Sequence, residues 1–149
     1  MSYETRILSI RDYLGATGKA RRKGSAMRRG YTGWALPDGE RSRLLARFPA
    51  AYARTVAHHA TLAFNVGPDH PLPKETGGTV VGIADDGSGV QALVLSIGGR
   101  TDRPDGSTFH ITWSLGPGRK PVESNDVIRR HGWTAVEPVP VRLEPRFFR

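Results

Sequence analysis

Residues 56–66 read VAHHATLAFNV and contain the pattern His-x-Thr-apolar at His59-Ala60-Thr61-Leu62. Residues 109–115, FHITWSL, repeat the pattern at His110-Ile111-Thr112-Trp113. Both stretches are rich in apolar and β-branched residues, which predicts two strands. Residues i and i+2 of a strand point to the same face, about 6–7 Å apart. Each strand would therefore present one imidazole beside one hydroxyl.

The segments around these two strands predict an α+β domain. Further strands are predicted at residues 31–36, 79–84, 90–96 and 134–142, and helices at residues 40–48 and 125–130, the second with Ser124 as its N-cap. The last strand contains two prolines and should lie at a sheet edge. The order β-α-β-β-β-β-α-β predicts two mostly antiparallel sheets with flanking helices, in two lobes that meet at a central cleft.

Length and composition indicate one ordinary soluble domain. The chain has 149 residues, of which 38% are hydrophobic and 24% charged. No apolar run approaches the ~20 residues of a membrane span, so no membrane association is expected. The absence of cysteine excludes disulfides and thiolate metal sites. The N-terminus lacks the plan of a secretory signal, and we expect a cytoplasmic location.

The net charge of +8 is concentrated at the N-terminus. Residues 1–30 contain eight basic and two acidic side chains, whereas the other residues contain 14 basic and 12 acidic ones. We therefore predict a basic, partly flexible arm at residues 1–30, with a short helix at residues 6–14, ahead of a nearly neutral domain at residues 31–149. The arm would either follow RNA phosphates or act as a solubilising leader.

The paired motifs suit acid–base chemistry on a phosphodiester. Histidine has an ordinary pKa of about 6.5, so one imidazole can accept a proton from water while another protonates the departing ribose oxygen. The hydroxyls of Thr61 and Thr112 would donate hydrogen bonds to the phosphoryl oxygens. His59 and His110 are thus the candidate base and acid, in an order that the sequence leaves open. The scheme needs no metal or other cofactor.

In these motifs the chain resembles the two-histidine (2H) phosphoesterase superfamily, which is defined by two His-x-Thr/Ser motifs in a bilobal α+β fold. It is most similar to the RNA-repair-like branch related to tRNA ligase cyclic phosphodiesterase domains. The likeness spans residues 31–133 and includes Tyr31-Thr32-Gly33 with Leu36, Leu44-Leu45 before Phe48-Pro49, residues 57–64, and Lys120-Pro121-Val122-Glu123-Ser124-Asn125. By position, the resemblance implies that His59 and His110 are the acid and base and that Thr61 and Thr112 bind phosphate.

The other histidines have simpler interpretations. His58 points away from His59 in a strand and is expected to be structural, although a register slip of one residue would exchange their places. His70 is expected in an exposed loop and His131 at a helix C-terminus. None of the histidine spacings is typical of a metal site.

Four further residues are candidate substrate contacts. Tyr31 or Trp113 could stack on a base, although Trp113, with Trp34, Phe64 and Trp133, is expected mainly in the core. Lys120 and Ser124 could approach the phosphate. Their alternative interpretations are a turn residue and the helix N-cap.

These observations predict a metal-independent phosphodiesterase that opens 2′,3′-cyclic phosphate ends of RNA or related nucleotides, acting as a monomer. Two alternatives remain at this point. The same four residues could serve a hydrolase of cyclic oligonucleotide or cyclic dinucleotide signals, as in phage counter-defence. A non-catalytic RNA-binding module would instead use the basic arm and bind phosphate with its histidines.

Overall fold

The computed structural model describes residues 29–149, so the predicted arm and its helix at residues 6–14 fall almost entirely outside the described residues. In chain order the elements are β1 (Gly30–Ala35), α1 (Asp38–Arg47), β2 (Arg54–Thr55), β3 (His59–Val66), β4 (Gly77–Asp85), β5 (Val90–Ser96), β6 (His110–Leu115), α2 (Glu123–His131), β7 (Thr134–Arg142) and β8 (Glu144–Phe148). No helix within residues 29–149 is both long and apolar enough to cross a membrane.

The strands form one curled sheet in the order β7-β4-β5-β6-β3-β1-β8, with the short β2 paired to β6. All pairings in the described chain are antiparallel, which confirms the predicted mostly antiparallel sheet with two helices. The expectation of two separate sheets is wrong. Ala60 of β3 pairs with Ile111 of β6, and this ladder joins the two halves of the chain.

One face of the sheet carries the main hydrophobic core. Trp34, Ala60 and Ile111 lie next to one another on neighbouring strands and are buried with Leu44 of α1. The indole N–H of Trp113 donates a hydrogen bond of 2.7 Å to the carbonyl of Phe48, just after α1. Helix α1 therefore closes this face.

The opposite face packs against α2. Ile128 of α2 is buried with Ala84, Ala92 and Val94 of the neighbouring strands β4 and β5. The N-cap of α2 is Val122 and no side chain caps it, so the prediction of Ser124 as N-cap is wrong. Gly132 ends the helix as predicted, with a φ of 68° that suits glycine.

The sequence predicted one of the two edge strands of the sheet and missed the other. Strand β7 lies at one edge and pairs only with β4 among the described strands, which confirms the predicted edge strand. The other edge is β8, which the sequence did not predict. It pairs with β1, and Phe148 lies opposite Tyr31.

Candidate functional site

The register of β3 against β6 brings the two His-x-Thr motifs together. Because Ala60 pairs with Ile111, His59 lies next to Thr112 and Thr61 lies next to His110. All four side chains point away from the main core, on the face that also packs against α2. In a regular antiparallel ladder, directly opposite residues are about 4.5–5.5 Å apart and diagonal neighbours about 7–8 Å. We call these four residues the quartet and their side of the sheet the quartet face.

A bulge in the chain before β3 decides which histidine joins the quartet. The pairing of β2 with β6 is two residues out of step with that of β3 with β6. Ala57 takes up the difference in a left-handed conformation with φ of 44°, and its N–H donates to the carbonyl of Thr112 at 3.0 Å. His58 is exposed in this bulge, and His59 occupies the quartet face.

His110 is held in one tautomer by its own strand. Its Nδ1 lies 2.9 Å from the carbonyl oxygen of Thr108, which can only accept, so Nδ1 carries the proton and Nε2 of the neutral ring is free to accept one. Burial lowers the pKa of His110 to about 4. The hydrogen bond to Thr108 opposes this effect, and the nearby charge of Arg103 adds to it.

His59 lies among aromatic rings. Its ring centre is 5.2 Å from that of Tyr31 and 5.1 Å from that of Phe148, and its Nδ1 is 2.9 Å from Nδ1 of His58. Burial, together with the charges of His58 and His110, lowers the pKa of His59 to about 4. The influence of His110 on this pKa is consistent with two imidazoles close enough to act on one ligand.

The two threonines differ in their surroundings. Thr61 is half-buried, whereas Thr112 is almost fully buried and its Oγ1 lies 2.8 Å from Oγ of Ser124. Thr112 is also 3.3 Å from the carbonyl of Pro121. If Ser124 donates to Thr112, the hydroxyl hydrogen of Thr112 is free for an anion. Ser124 itself is fully buried, so it supports Thr112 and does not touch a substrate as the sequence had suggested.

Arg103 is a candidate site residue that the sequence analysis did not single out. Only 6% of its surface is exposed, yet its Nε has no hydrogen-bond partner. Its other contacts are long, at 3.5 Å to Asn125 Oδ1 and 3.5 Å to Asp105 Oδ2. Burying a guanidinium whose N–H donors lack partners costs free energy, and an anion bound at the quartet would offset this cost. Nothing distinguished this arginine from the others of its polar loop in the sequence.

The remaining candidate substrate contacts differ in their position and exposure. Tyr31 lies on the quartet side next to His59, and burial raises its pKa. Lys120 is exposed just before α2. Trp113 is fully buried against Phe48, so the suggested stacking of Trp113 on a base is wrong. The expected core positions are also wrong for Phe64 and Trp133, which are 74% and 40% exposed.

Within residues 29–149, no three histidine, aspartate or glutamate side chains are grouped so that they could hold a metal ion. No protein-family model matches this chain, and no curated protein or solved structure matches it. The resemblance to the 2H phosphoesterases therefore rests on the motif residues themselves.

Proposed function

We propose that this protein is a 2H-type phosphodiesterase that hydrolyses 2′,3′-cyclic phosphates of RNA ends or nucleotides without a metal ion. The observation that supports it best is the quartet, in which two imidazoles and two hydroxyls occupy one face of adjacent strands. Phosphoryl transfer depends mainly on positioning and charge stabilisation, and a sheet supplies rigid positioning.

The surroundings of His110 favour the role of general base. Its Nδ1–H is fixed by Thr108, and burial with the Arg103 charge favours the neutral ring. In the proposed step, Nε2 of His110 takes a proton from water as the water oxygen bonds to phosphorus.

His59 then serves as the general acid. In its imidazolium form both ring nitrogens carry a proton, and Nε2–H can donate to the departing ribose oxygen. As the bond from phosphorus to that oxygen breaks, His59 transfers the proton and the product is a phosphomonoester beside a free ribose hydroxyl. Thr61 and Thr112 donate hydrogen bonds to the non-bridging oxygens throughout the step.

The test is a screen of the purified protein in the presence of a chelator. Its substrates are RNA with a 2′,3′-cyclic phosphate end, nucleoside 2′,3′-cyclic phosphates, 2′-5′ linked dinucleotides and cyclic oligonucleotides. We expect turnover of the cyclic phosphates, and His59→Ala and His110→Ala should each reduce it by about 10²–10⁴-fold. Turnover only after metal addition, turnover confined to cyclic oligonucleotides, or RNA binding without any turnover would each contradict the proposal.

A further inference from the structure

A cavity of about 460 Å³ lies between α2 and the loop that precedes β6. Its size falls in the range of small-molecule sites. One wall is formed by the loop residues Ser107 and Thr108, and the other by Asn125 and Val122 at the start of α2. Trp133 also lines it. No step of the proposed hydrolysis uses this cavity.

Thr108 and Asn125 connect the wall of the cavity to His110, the proposed base. The carbonyl that orients the His110 ring belongs to Thr108, a wall residue. Arg103, within hydrogen-bonding distance of the wall residue Asn125, also acts on the pKa of His110. A ligand that enters the cavity therefore lies close to the group that would activate water.

Trp133 lies on the same face as the quartet, at a distance that sheet geometry defines. Val94 pairs with His110 on one side and with Gly82 on the other. Trp133 covers Gly82 so closely that a Cβ there would lie 2.0 Å from the indole ring. Neighbouring strands are about 4.8 Å apart, so Trp133 is about 10 Å from His110 along this row. The ribose of one nucleotide bridges a gap of this kind between a phosphate and a base.

The walls have the chemistry that a nucleobase requires. Val122 and Trp133 are 73% and 40% exposed, although large apolar side chains gain from burial. They offer an apolar and an aromatic surface, and the Asn125 amide offers a donor and an acceptor. We infer that this cavity is the subsite for the nucleobase of the nucleotide whose phosphate is bound by the quartet. This inference rests on the proposed function.

Tryptophan fluorescence tests the subsite without turnover. The sequence has three tryptophans, and Trp34 and Trp113 are only 1% and 0% exposed, so acrylamide should quench mainly Trp133. Adenosine 2′-monophosphate and adenosine 3′-monophosphate should protect the fluorescence from quenching, whereas inorganic phosphate should not. Equal quenching with and without the nucleotides would overturn the subsite.

Kinetics provide the second test. Stacking on an aromatic side chain contributes about 1–3 kcal/mol per base, so Trp133→Ala should raise KM for adenosine 2′,3′-cyclic phosphate by about tenfold, and Trp133→Phe by less. A base-free substrate, 1-O-methylribose 2′,3′-cyclic phosphate, should not respond to the variant. The control is Leu72→Ala, which removes an exposed apolar side chain in the loop between β3 and β4 and should leave KM unchanged.

These measurements separate the subsite from the proposed hydrolysis. Turnover that depends on His59 and His110 but shows no KM change in Trp133→Ala overturns the subsite alone. The same holds if Leu72→Ala, and not Trp133→Ala, raises KM. Nucleotide protection of Trp133 in a protein that hydrolyses none of the cyclic phosphates supports the subsite and overturns the hydrolysis.

Discussion

At the scale of single residues, the neighbours of the two histidines set the pH at which the site can work. The proposed step needs one protonated and one neutral imidazole, and the pKa values of both rings are lowered to about 4. In the free protein the singly protonated pair is most abundant near pH 4 and declines at higher pH. We therefore expect kcat/KM, which reports the free enzyme, to fall as the pH is raised from 5 to 8.

The bulge residue His58 gives a specific test of this pH dependence. Its charge is one of the causes that lower the pKa of His59. In His58→Ala the pKa of His59 should rise, and the fall of kcat/KM with pH should move to higher pH. Rate measurements across pH 4–9 would show this shift. A profile that stays in place or moves to lower pH would contradict the assigned lowering of the His59 pKa by His58.

Arg103 makes a separate residue-scale prediction. Its charge lowers the pKa of His110, and its unpartnered Nε suits an anion. Arg103→Met should raise the pKa of His110 and weaken the binding of nucleoside monophosphates, while Arg103→Lys should retain part of both effects. NMR titration of the His110 ring gives the pKa, and calorimetry gives the affinity. An unchanged pKa and affinity in Arg103→Met would assign Arg103 a purely structural role.

At the scale of elements, the approach of β1 to β3 fixes the position of the motif strand. A Cβ on Gly33 would lie 2.1 Å from the carbonyl oxygen of Ala60, the residue that pairs with β6. Gly33→Ala should therefore destabilise the fold by about 1–3 kcal/mol and reduce activity, because β3 must shift. The matched control is Gly39→Ala in α1, where a Cβ meets nothing within 4 Å and alanine should stabilise by up to about 1 kcal/mol.

Urea denaturation of the two variants measures both changes. A Gly33→Ala protein as stable and active as the wild type would contradict the assigned role of this close approach.

Some elements could be predicted from the chain and others could not, for physical reasons. Alternation and propensity identified β3, β5 and β6, and the paired motifs identified the quartet residues. The bulge at Ala57 was not visible, because its left-handed conformation depends on how β2 and β3 share β6. Strand β8 was missed because Pro145 and its charged neighbours resemble a tail, and its pairing with β1 is set by the whole sheet.

The sequence also could not predict which tryptophan side chains are exposed. Trp113 lies within a predicted strand and Trp133 directly before one, but Trp113 faces the core under α1, whereas Trp133 follows α2 and covers a glycine of β4. Which face a side chain takes depends on packing between distant segments. Arg103 was missed for the same reason, since its burial arises from the contact between its loop and α2.

At the scale of the whole molecule, the site imposes a cost on folding at acidic pH. The pKa values of both histidines are about 6.5 when unfolded and about 4 when folded, so the unfolded chain binds more protons between these pH values. The free energy of unfolding should therefore rise as the pH is raised from 4 to 6.5, by about 2–3 kcal/mol per histidine. Urea denaturation at pH 5 and pH 7 measures this dependence.

The double variant His59→Ala/His110→Ala is the control for that dependence, because it removes both groups. Its stability should change less between pH 5 and pH 7 than that of the wild type. An identical slope would mean that the two rings are not held in the neutral form by the fold.

A double-mutant cycle on the two histidines tests most directly whether they act on one phosphorus. The rates of the wild type, His59→Ala, His110→Ala and the double variant would be measured with adenosine 2′,3′-cyclic phosphate in the presence of a chelator. Groups that act as a unit give strongly non-additive losses, so the double variant should be about as slow as either single variant. Losses that multiply in the double variant, or single variants as fast as the wild type, would contradict the account.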